Sequence, residues 1–239
     1  SLASGIDAFV GMPSLTHLDF SGNAMRSIPP SELCHLTALE VLDLSENQLG
    51  SLDDLGLTSS QCLPNLKSLD ISKNEVTSVS SDLFKLVLPK MNHLDISGNF
   101  IRHLHETNHI RKKSGCTLKT INLSNNQISG VPDTFFHGCG EHLATLKLAN
   151  NSLSTLEETI FSGLSSMKTL DLSGNRLTST HISKTLFQDL EQLKELYLDH
   201  NGLSNFEESD EVFVPMAGTL TVLKLNHNNI KVISNRTFL

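Results

Sequence analysis

Apolar and polar positions recur along this chain in one fixed order. Four apolar residues and an asparagine stand at constant offsets, as in Leu39, Leu42, Leu44, Asn47 and Leu49. The order occurs nine times, and successive asparagines stand 24 to 27 residues apart. Self-similarity at this period predicts a stack of repeating units. The apolar positions are Leu15, Leu18, Phe20 and Met25; Leu39, Leu42, Leu44 and Leu49; Leu66, Leu69, Ile71 and Val76; Met91, Leu94, Ile96 and Ile101; Leu118, Ile121, Leu123 and Ile128; Leu143, Leu146, Leu148 and Leu153; Met167, Leu170, Leu172 and Leu177; Leu193, Leu196, Leu198 and Leu203; and Leu220, Leu223, Leu225 and Ile230.

The short alternating run in each repeat predicts a β-strand, because alternate residues of a strand face opposite sides. Each inward Leu contributes roughly 2 kcal/mol when it is buried. A single repeat cannot bury that face alone, so neighbouring repeats must stack. The pattern therefore predicts a curved solenoid over residues 1–239, with about nine parallel strands on its concave face.

The recurring asparagine follows each predicted strand and turns the chain away from it. Its amide can donate and accept hydrogen bonds with backbone groups of adjacent turns, and a buried amide without partners is costly. We expect a ladder formed by Asn23, Asn47, Asn74, Asn99, Asn126, Asn151, Asn175, Asn201 and Asn228.

A second periodic feature precedes each strand and predicts a buried row on the convex side. Phe161, Leu164 and Met167 show its spacing, which Phe9, Met12 and Leu15 repeat. The convex side is expected to be irregular, with short turns or 3₁₀ segments. Both ends stop within a repeat without a polar cap, so we expect the natural chain to continue on both sides. The row consists of Phe9, Leu33, Phe84, Phe136, Phe161, Phe187, Phe213 and Phe238.

Composition and the absence of known motifs exclude several classes of function. The formal net charge is −8, which disfavours nucleic acid as the main partner, because phosphate binding needs clustered Lys and Arg. No apolar run approaches the roughly 20 residues that span a bilayer, and residues 1–10 do not resemble a signal peptide. We expect no catalytic site and no cofactor, since no nucleophile elbow, phosphate-binding Gly loop or His-Glu-x-x-His motif is present.

Four cysteines allow two disulfides. Cys34 and Cys62 lie one repeat apart, and adjacent turns are about 5 Å apart, so a bond between them is geometrically reasonable. Cys116 and Cys139 also lie one repeat apart, where either a second bond or two small buried hydrophobic residues would fit. The absence of a Cys-x-x-Cys pair argues against structural zinc.

Three Asn-x-Ser/Thr sequons begin at Asn122, Asn150 and Asn235. We expect at least one to carry a glycan if the chain is secreted.

The outward positions in mid-strand are the candidate ligand face. Asp19, Asp43, Asp70 and Asp95 would form an acidic stripe that attracts a basic protein, although an ordinary solvated face is the simpler interpretation. The remaining candidates are Lys147, Asp171, Tyr197 and Lys224, with Asn122 between the two sets.

Histidines offer two further candidates. His200 and His227 precede successive asparagines, so they should stack as a surface pair that either responds to pH or is merely solvated. His103, His105, Glu106 and His109 crowd one segment, where irregular spacing argues against a metal site. The basic segment 111–115 is expected to be a solvated loop.

These repeats resemble the extracellular class of leucine-rich-repeat proteins, which implies an α/β leucine-rich-repeat solenoid of horseshoe shape. Two segments resemble the ectodomain of long invertebrate Toll receptors. One runs from Ser31-Glu32-Leu33-Cys34 to the Cys62 insertion, and the other reads Asp171-Leu172-Ser173-Gly174-Asn175-Arg176-Leu177-Thr178-Ser179-Thr180-His181-Ile182.

The Toll resemblance implies the outer part of a single-pass membrane receptor, lying outside the plasma membrane. Such a receptor would engage a cystine-knot cytokine, a microbial ligand or another cell-surface receptor. Homo- or heterodimerisation of the ectodomains would follow, and membrane contact would be made only by parts outside this sequence. The alternative is a cell-adhesion or matrix leucine-rich-repeat protein without a signalling domain.

Overall fold

A computed structural model describes residues 9–52, 55, 62–81, 83, 90–105, 116–206, 211–233 and 237. Its main feature is a nine-stranded parallel sheet in which every strand pairs with those of the neighbouring repeats. This confirms the predicted sheet and solenoid. The strands are β1 (His17–Asp19), β2 (Val41–Asp43), β3 (Ser68–Asp70), β5 (His93–Asp95), β7 (Thr120–Asn122), β8 (Thr145–Lys147), β9 (Thr169–Asp171), β10 (Glu195–Tyr197) and β11 (Val222–Lys224).

The strands are in register, so equivalent side chains form columns across the sheet. Leu42 lies beside Leu69, and Leu69 lies beside Leu94. All three of these central residues are fully buried. One continuous hydrophobic cluster runs from Phe9 to Met216, because each turn covers the apolar face of the next.

The part of the chain away from the sheet contains short elements. A second parallel sheet of two strands, β4 (Ser78–Ser80) and β6 (His103–His105), was not predicted. Two single-turn helices, α1 (Pro30–Cys34) and α2 (Lys184–Phe187), alternate with turns and 3₁₀ segments. The Ser183 hydroxyl caps α2 by accepting the backbone N–H of Leu186.

The phenylalanine row lies in the core where the structure describes it. Phe136, Phe161 and Phe187 are all at most 1% exposed, and the rings of the last two stack with centroids 6.4 Å apart. Leu33, Phe9 and Phe213 are also buried. Met12 is instead 51% exposed, because no described turn covers its outer side. Phe84 and Phe238 lie outside the described residues.

The predicted asparagines line up between successive turns. Asn126 donates through Nδ2 to the carbonyls of Ile96, one turn earlier, and Leu123, both at 3.1 Å. Its Oδ1 accepts the backbone N–H of Ile101 at 3.0 Å. The same pattern holds for Asn47, Asn74, Asn99, Asn151, Asn175, Asn201 and Asn228.

Asn23 begins the ladder and differs from the rest. Among the described residues, its Nδ2 donates only to the carbonyls of Phe20 and Ser21 in its own turn, and its side chain is exposed.

The residue before each ladder asparagine has a left-handed backbone, a feature that the apolar pattern does not reveal. Its φ lies between 53° and 67° in all nine repeats. We call these nine residues the left-handed row. Members on neighbouring turns contact each other: Lys73 pairs with Glu46 at 2.6 Å, an ion pair that raises the pKa of Lys73. The row consists of Gly22, Glu46, Lys73, Gly98, Asn125, Asn150, Gly174, His200 and His227.

Candidate functional site

The outward side chains of the nine strands form the concave face. In strands such as β3 and β9, the central residue is buried and its two neighbours are half-buried, whereas in β8 the outward Lys147 is exposed. Parallel strands lie about 4.8 Å apart. Outward residues therefore lie side by side in two columns, which the sequence predicted for the mid-strand positions.

Four aspartates occupy the same column in neighbouring strands. Asp19 lies beside Asp43, Asp43 beside Asp70, and Asp70 beside Asp95. Each carboxylate also accepts the backbone N–H two residues later, at 2.8 to 2.9 Å. These aspartates therefore stabilise the turns that follow their strands as well as charging the surface.

The environment of these carboxylates changes along the column. Burial raises the pKa of Asp70, and the like charges of Asp95 and Asp43 act in the same direction. Hydrogen bonds from the hydroxyl and the backbone N–H of Ser21 lower the pKa of Asp19 at the exposed end. Burial and neighbouring like charges therefore disfavour the ionised form of Asp70.

Asn122 ends the acidic column and begins a mixed one. Its Nδ2 donates to Oδ2 of Asp95 at 2.8 Å, and its Oδ1 accepts the N–H of Ser124 at 3.1 Å. Lys147, Asp171, Tyr197 and Lys224 follow on successive strands. Of these, Asp171 repeats the turn bond by accepting the N–H of Ser173 at 3.0 Å.

Tyr197 is the centre of the carboxyl-terminal half of the concave face. Its hydroxyl donates to Oε2 of Glu195 at 3.3 Å, and the same oxygen accepts from Thr169. Lys224 Nζ lies 5.2 Å from the centroid of the Tyr197 ring. Burial raises the pKa of the Tyr197 hydroxyl, and Glu195 adds to the shift. The group is an oriented aromatic ring flanked by both signs of charge, which is a typical anchor for a protein partner.

Exposed lysines lie in or directly before four strands of the same half of the sheet, β7 to β10. Lys119, Lys168 and Lys194 each stand directly before a strand, and Lys147 lies within β8. Among the described residues, no carboxylate lies within 4.0 Å of these four amino groups. In the amino-terminal half, Lys67 is instead paired with Glu40 at 2.7 Å, and this ion pair lowers the pKa of Glu40.

The predicted histidine pair is stacked. The rings of His200 and His227 lie 4.2 Å apart between centroids, and Nδ1 of His200 lies 2.9 Å from Oδ2 of Asp199. His103 and His105 occupy the outward positions of β6 with ring centroids 6.2 Å apart. Glu106, His109 and residues 111–115 lie outside the described residues.

Two disulfides connect neighbouring turns. Cys34 is bonded to Cys62, with Cα atoms 4.4 Å apart. Cys116 is bonded to Cys139, with Cα atoms 4.7 Å apart, so these residues are a buried bridge and not two free thiols. Each bond closes a loop of one repeat and restricts the unfolded chain.

The sequons differ in their surroundings. Asn122 lies half-buried on the concave face, whereas Asn150 is an exposed member of the left-handed row. Asn235 lies outside the described residues, although Thr237 of the same sequon is buried.

The described residues contain no group of three or more His, Cys, Asp and Glu side chains that would hold a metal ion. The same part of the chain contains no helix long and apolar enough to cross a membrane.

A parallel sheet of stacked turns, closed by a ladder of asparagine amides, defines a repeat protein of the solenoid class. The family model described as leucine rich repeat matches residues 5–49, 64–108, 116–177 and 141–203, which is more than half of the chain. The chain belongs to the leucine-rich-repeat family.

Comparisons with individual proteins confirm the resemblance to Toll receptors and add a second kind of relative. Mouse Tsukushi is 35% identical over 124 residues, which cover 52% of this chain and 34% of Tsukushi. Human Toll-like receptor 3 is 26% identical over 238 residues, covering 97% of this chain and 26% of the receptor. A solved structure of the Drosophila Toll–Spatzle complex superposes with a TM-score of 0.79 at 27% identity, covering 96% of this chain and 31% of that one. The chain therefore spans only part of the length of each.

Proposed function

We propose that this chain is the extracellular ligand-binding region of a Toll-type receptor and that it binds a protein ligand on its concave face. The observation that carries the proposal is the Tyr197 group, in which the ring lies beside Lys224, on a sheet where Lys119, Lys147, Lys168 and Lys194 have no carboxylate within 4.0 Å among the described residues. The similarity to Toll over 96% of the chain supports the receptor type. The two disulfides support an oxidising, extracellular location.

The charges of the concave face suggest how such a ligand would be oriented. The amino-terminal half presents the column from Asp19 to Asp95, and the carboxyl-terminal half presents Lys147, Asp171, Tyr197 and Lys224 on successive strands. A partner with basic groups at one end and acidic groups at the other would be steered into one orientation. Such steering weakens as ionic strength rises.

The test uses Spatzle, the ligand named in the Toll–Spatzle structure, as the probe. Binding to the immobilised chain would be measured for the unaltered protein, Tyr197→Ala and the double variant Lys147→Glu/Lys224→Glu. Phe100→Ala removes a 50% exposed aromatic side chain outside the strands, and Lys90→Glu reverses an exposed charge there. Loss of affinity of at least about tenfold in the concave variants alone, equivalent to about 1.4 kcal/mol, supports the proposal. Equal affinity in all variants would contradict the concave site.

Signalling by ectodomain dimerisation is the second part of the proposal. Sedimentation of the chain with and without Spatzle should reveal two copies of the chain in the complex. A complex that retains one copy of the chain would argue against dimerisation by this region.

A matrix or adhesion protein without a signalling domain is the second candidate. The similarity to Tsukushi, at 35% identity, favours it. The sequence that the natural transcript encodes after Leu239 separates the two. A membrane-spanning helix followed by a cytoplasmic domain supports the receptor, and a stop codon without either supports the matrix protein.

A further inference from the structure

The sequons at Asn122 and Asn150 have the same chemistry but opposite surroundings. Asn150 is exposed, with a left-handed φ of 53°, at the point where the chain leaves β8. Its position belongs to the left-handed row, outside the two outward columns of the sheet. A group attached to its amide nitrogen would therefore project from the edge of the solenoid that the left-handed row forms. We call this edge the rim.

The neighbours of Asn150 in the left-handed row are Asn125 and Gly174. Its Nδ2 donates one hydrogen bond, to Oδ1 of Asn125 at 3.0 Å. An amide nitrogen carries two hydrogens, so one can be replaced by a sugar while the other keeps this bond. Gly174 follows Asn150 in the row and Gly98 precedes Asn125, so a residue without a side chain stands on each side of the asparagine pair.

Asn122 is half-buried within a column of the sheet, and both its amide oxygen and its amide nitrogen are hydrogen-bonded. Its amide donates to Asp95 at 2.8 Å and accepts from Ser124 at 3.1 Å, and it stands between Asp95 and Lys147 in the column. Ser124, whose hydroxyl completes the sequon, is only 7% exposed. A sugar ring on Asn122 would have to displace the side chains of adjacent strands about 4.8 Å away.

We propose that Asn150 is an N-glycosylation site and that Asn122 is a sequon left unmodified in the folded protein. The glycan covers the rim beside β8 and leaves the concave face open. This inference rests on the proposed extracellular function. It implies that a ligand binds the concave sheet and not the rim that the glycan covers.

The test is site mapping on the chain secreted from insect cells behind a cleavable signal peptide. Release of N-glycans by an amidase in ¹⁸O water converts each modified asparagine to labelled aspartate. Tryptic cleavage after Lys119, Lys147 and Lys168 places Asn122 and Asn150 in separate peptides. We expect label at Asn150 and none at Asn122. Label at Asn122, or none at Asn150, would overturn the proposal.

Two variants test which sequon carries the glycan without requiring that both tryptic peptides be detected. Ser152→Ala removes the Asn150 sequon without changing the asparagine, and the secreted protein should lose the mass of one glycan. Ser124→Ala removes the other sequon and should leave the glycan mass unchanged. The reverse result contradicts the proposal. Neither measurement uses a ligand, so failure here is distinct from failure of Spatzle to bind.

Discussion

Asn122 donates a hydrogen bond from Nδ2 to Oδ2 of Asp95, 2.8 Å away on the neighbouring strand. Elsewhere in the acidic column the neighbour is another carboxylate, which can offer no donor when it is ionised. The amide keeps the turn bond, because Oδ1 of Asn122 still accepts the N–H of Ser124. At this position an asparagine therefore makes both the hydrogen bond to the neighbouring strand and the turn bond, without adding a negative charge beside Asp95.

Asp70→Asn should therefore stabilise the protein at neutral pH. Because the pKa of Asp70 is raised in the folded chain, its contribution favours folding below the unfolded value and is lost as the pH rises through the folded pKa. Removing this charge should raise the free energy of unfolding by about 0.5 kcal/mol near pH 7. The gain should vanish near pH 3, because Asp70 is then protonated in both the folded and the unfolded chain, and urea titrations at the two pH values measure it.

Asp19→Asn is the matched control, because the pKa of Asp19 is shifted in the opposite direction and the variant should be destabilised. The pKa of Asp19 is lowered, so its contribution to stability is present above the unfolded value and lost as the pH falls through the folded pKa. This variant should have a lower melting temperature than the unaltered protein at pH 7, with the difference shrinking in acid. Parallel behaviour of the two variants would contradict our account of the column.

The asparagine ladder provides a second prediction. Asn126→Ala leaves the buried N–H of Ile101 without its acceptor. The carbonyls of Ile96 and Leu123 each lose one amide donor but keep a second, from Asn99 and Asn151 respectively. We expect a loss of about 1–3 kcal/mol in the free energy of unfolding, measured by denaturant titration. Asn23→Ala removes only bonds within one exposed turn, so it should cost less than about 0.5 kcal/mol. Equal losses would mean that the bonds between turns contribute nothing.

The two disulfides should differ in their rate of reduction. Cys34 is exposed, whereas Cys116 and Cys139 are 1% and 0% exposed. Exchange requires a thiolate to reach one of the bonded sulfurs. Under native conditions, dithiothreitol followed by iodoacetamide should label Cys34 and Cys62 first, as peptide mass mapping would detect. Labelling of Cys116 and Cys139 at the same rate would indicate that their repeat opens easily.

The features of the fold that could be predicted from the sequence are those that recur with the repeat period. Fixed offsets between leucines and asparagines determine which residues face inward, and so the sheet, its register and the ladder followed from the sequence. The bond between Cys116 and Cys139 did not, because a one-repeat separation suits both a bridge and two packed thiols. The strands β4 and β6 were missed because Ser78–Ser80 and His103–His105 are too short to show a pattern of their own.

For the candidate site, the sequence predicted which residues face outward but not which hydrogen bonds they make. The sequence indicated that Asp19, Asp43, Asp70 and Asp95 face outward, but not that their carboxylates accept backbone N–H groups. The left-handed row does have a signal in the sequence. Gly, Asn and His precede seven of the nine ladder asparagines, and these residue types tolerate positive φ better than most.

Gly174→Ala should be more harmful than Gly98→Ala, although both glycines occupy the left-handed row with φ of 65° and 67°. Both variants carry the left-handed backbone penalty, about 1 kcal/mol or more. A Cβ at Gly98 would meet the flexible Lys73 side chain at 3.2 Å, which can move aside. A Cβ at Gly174 would overlap Oδ1 of Asn150, whose amide is held by Asn125. The overlap should cost about 1–3 kcal/mol more in denaturant titrations. Adding Asn150→Ala to Gly174→Ala removes the clashing atom, so a double-mutant cycle should show a favourable coupling, and zero coupling would place the cost elsewhere.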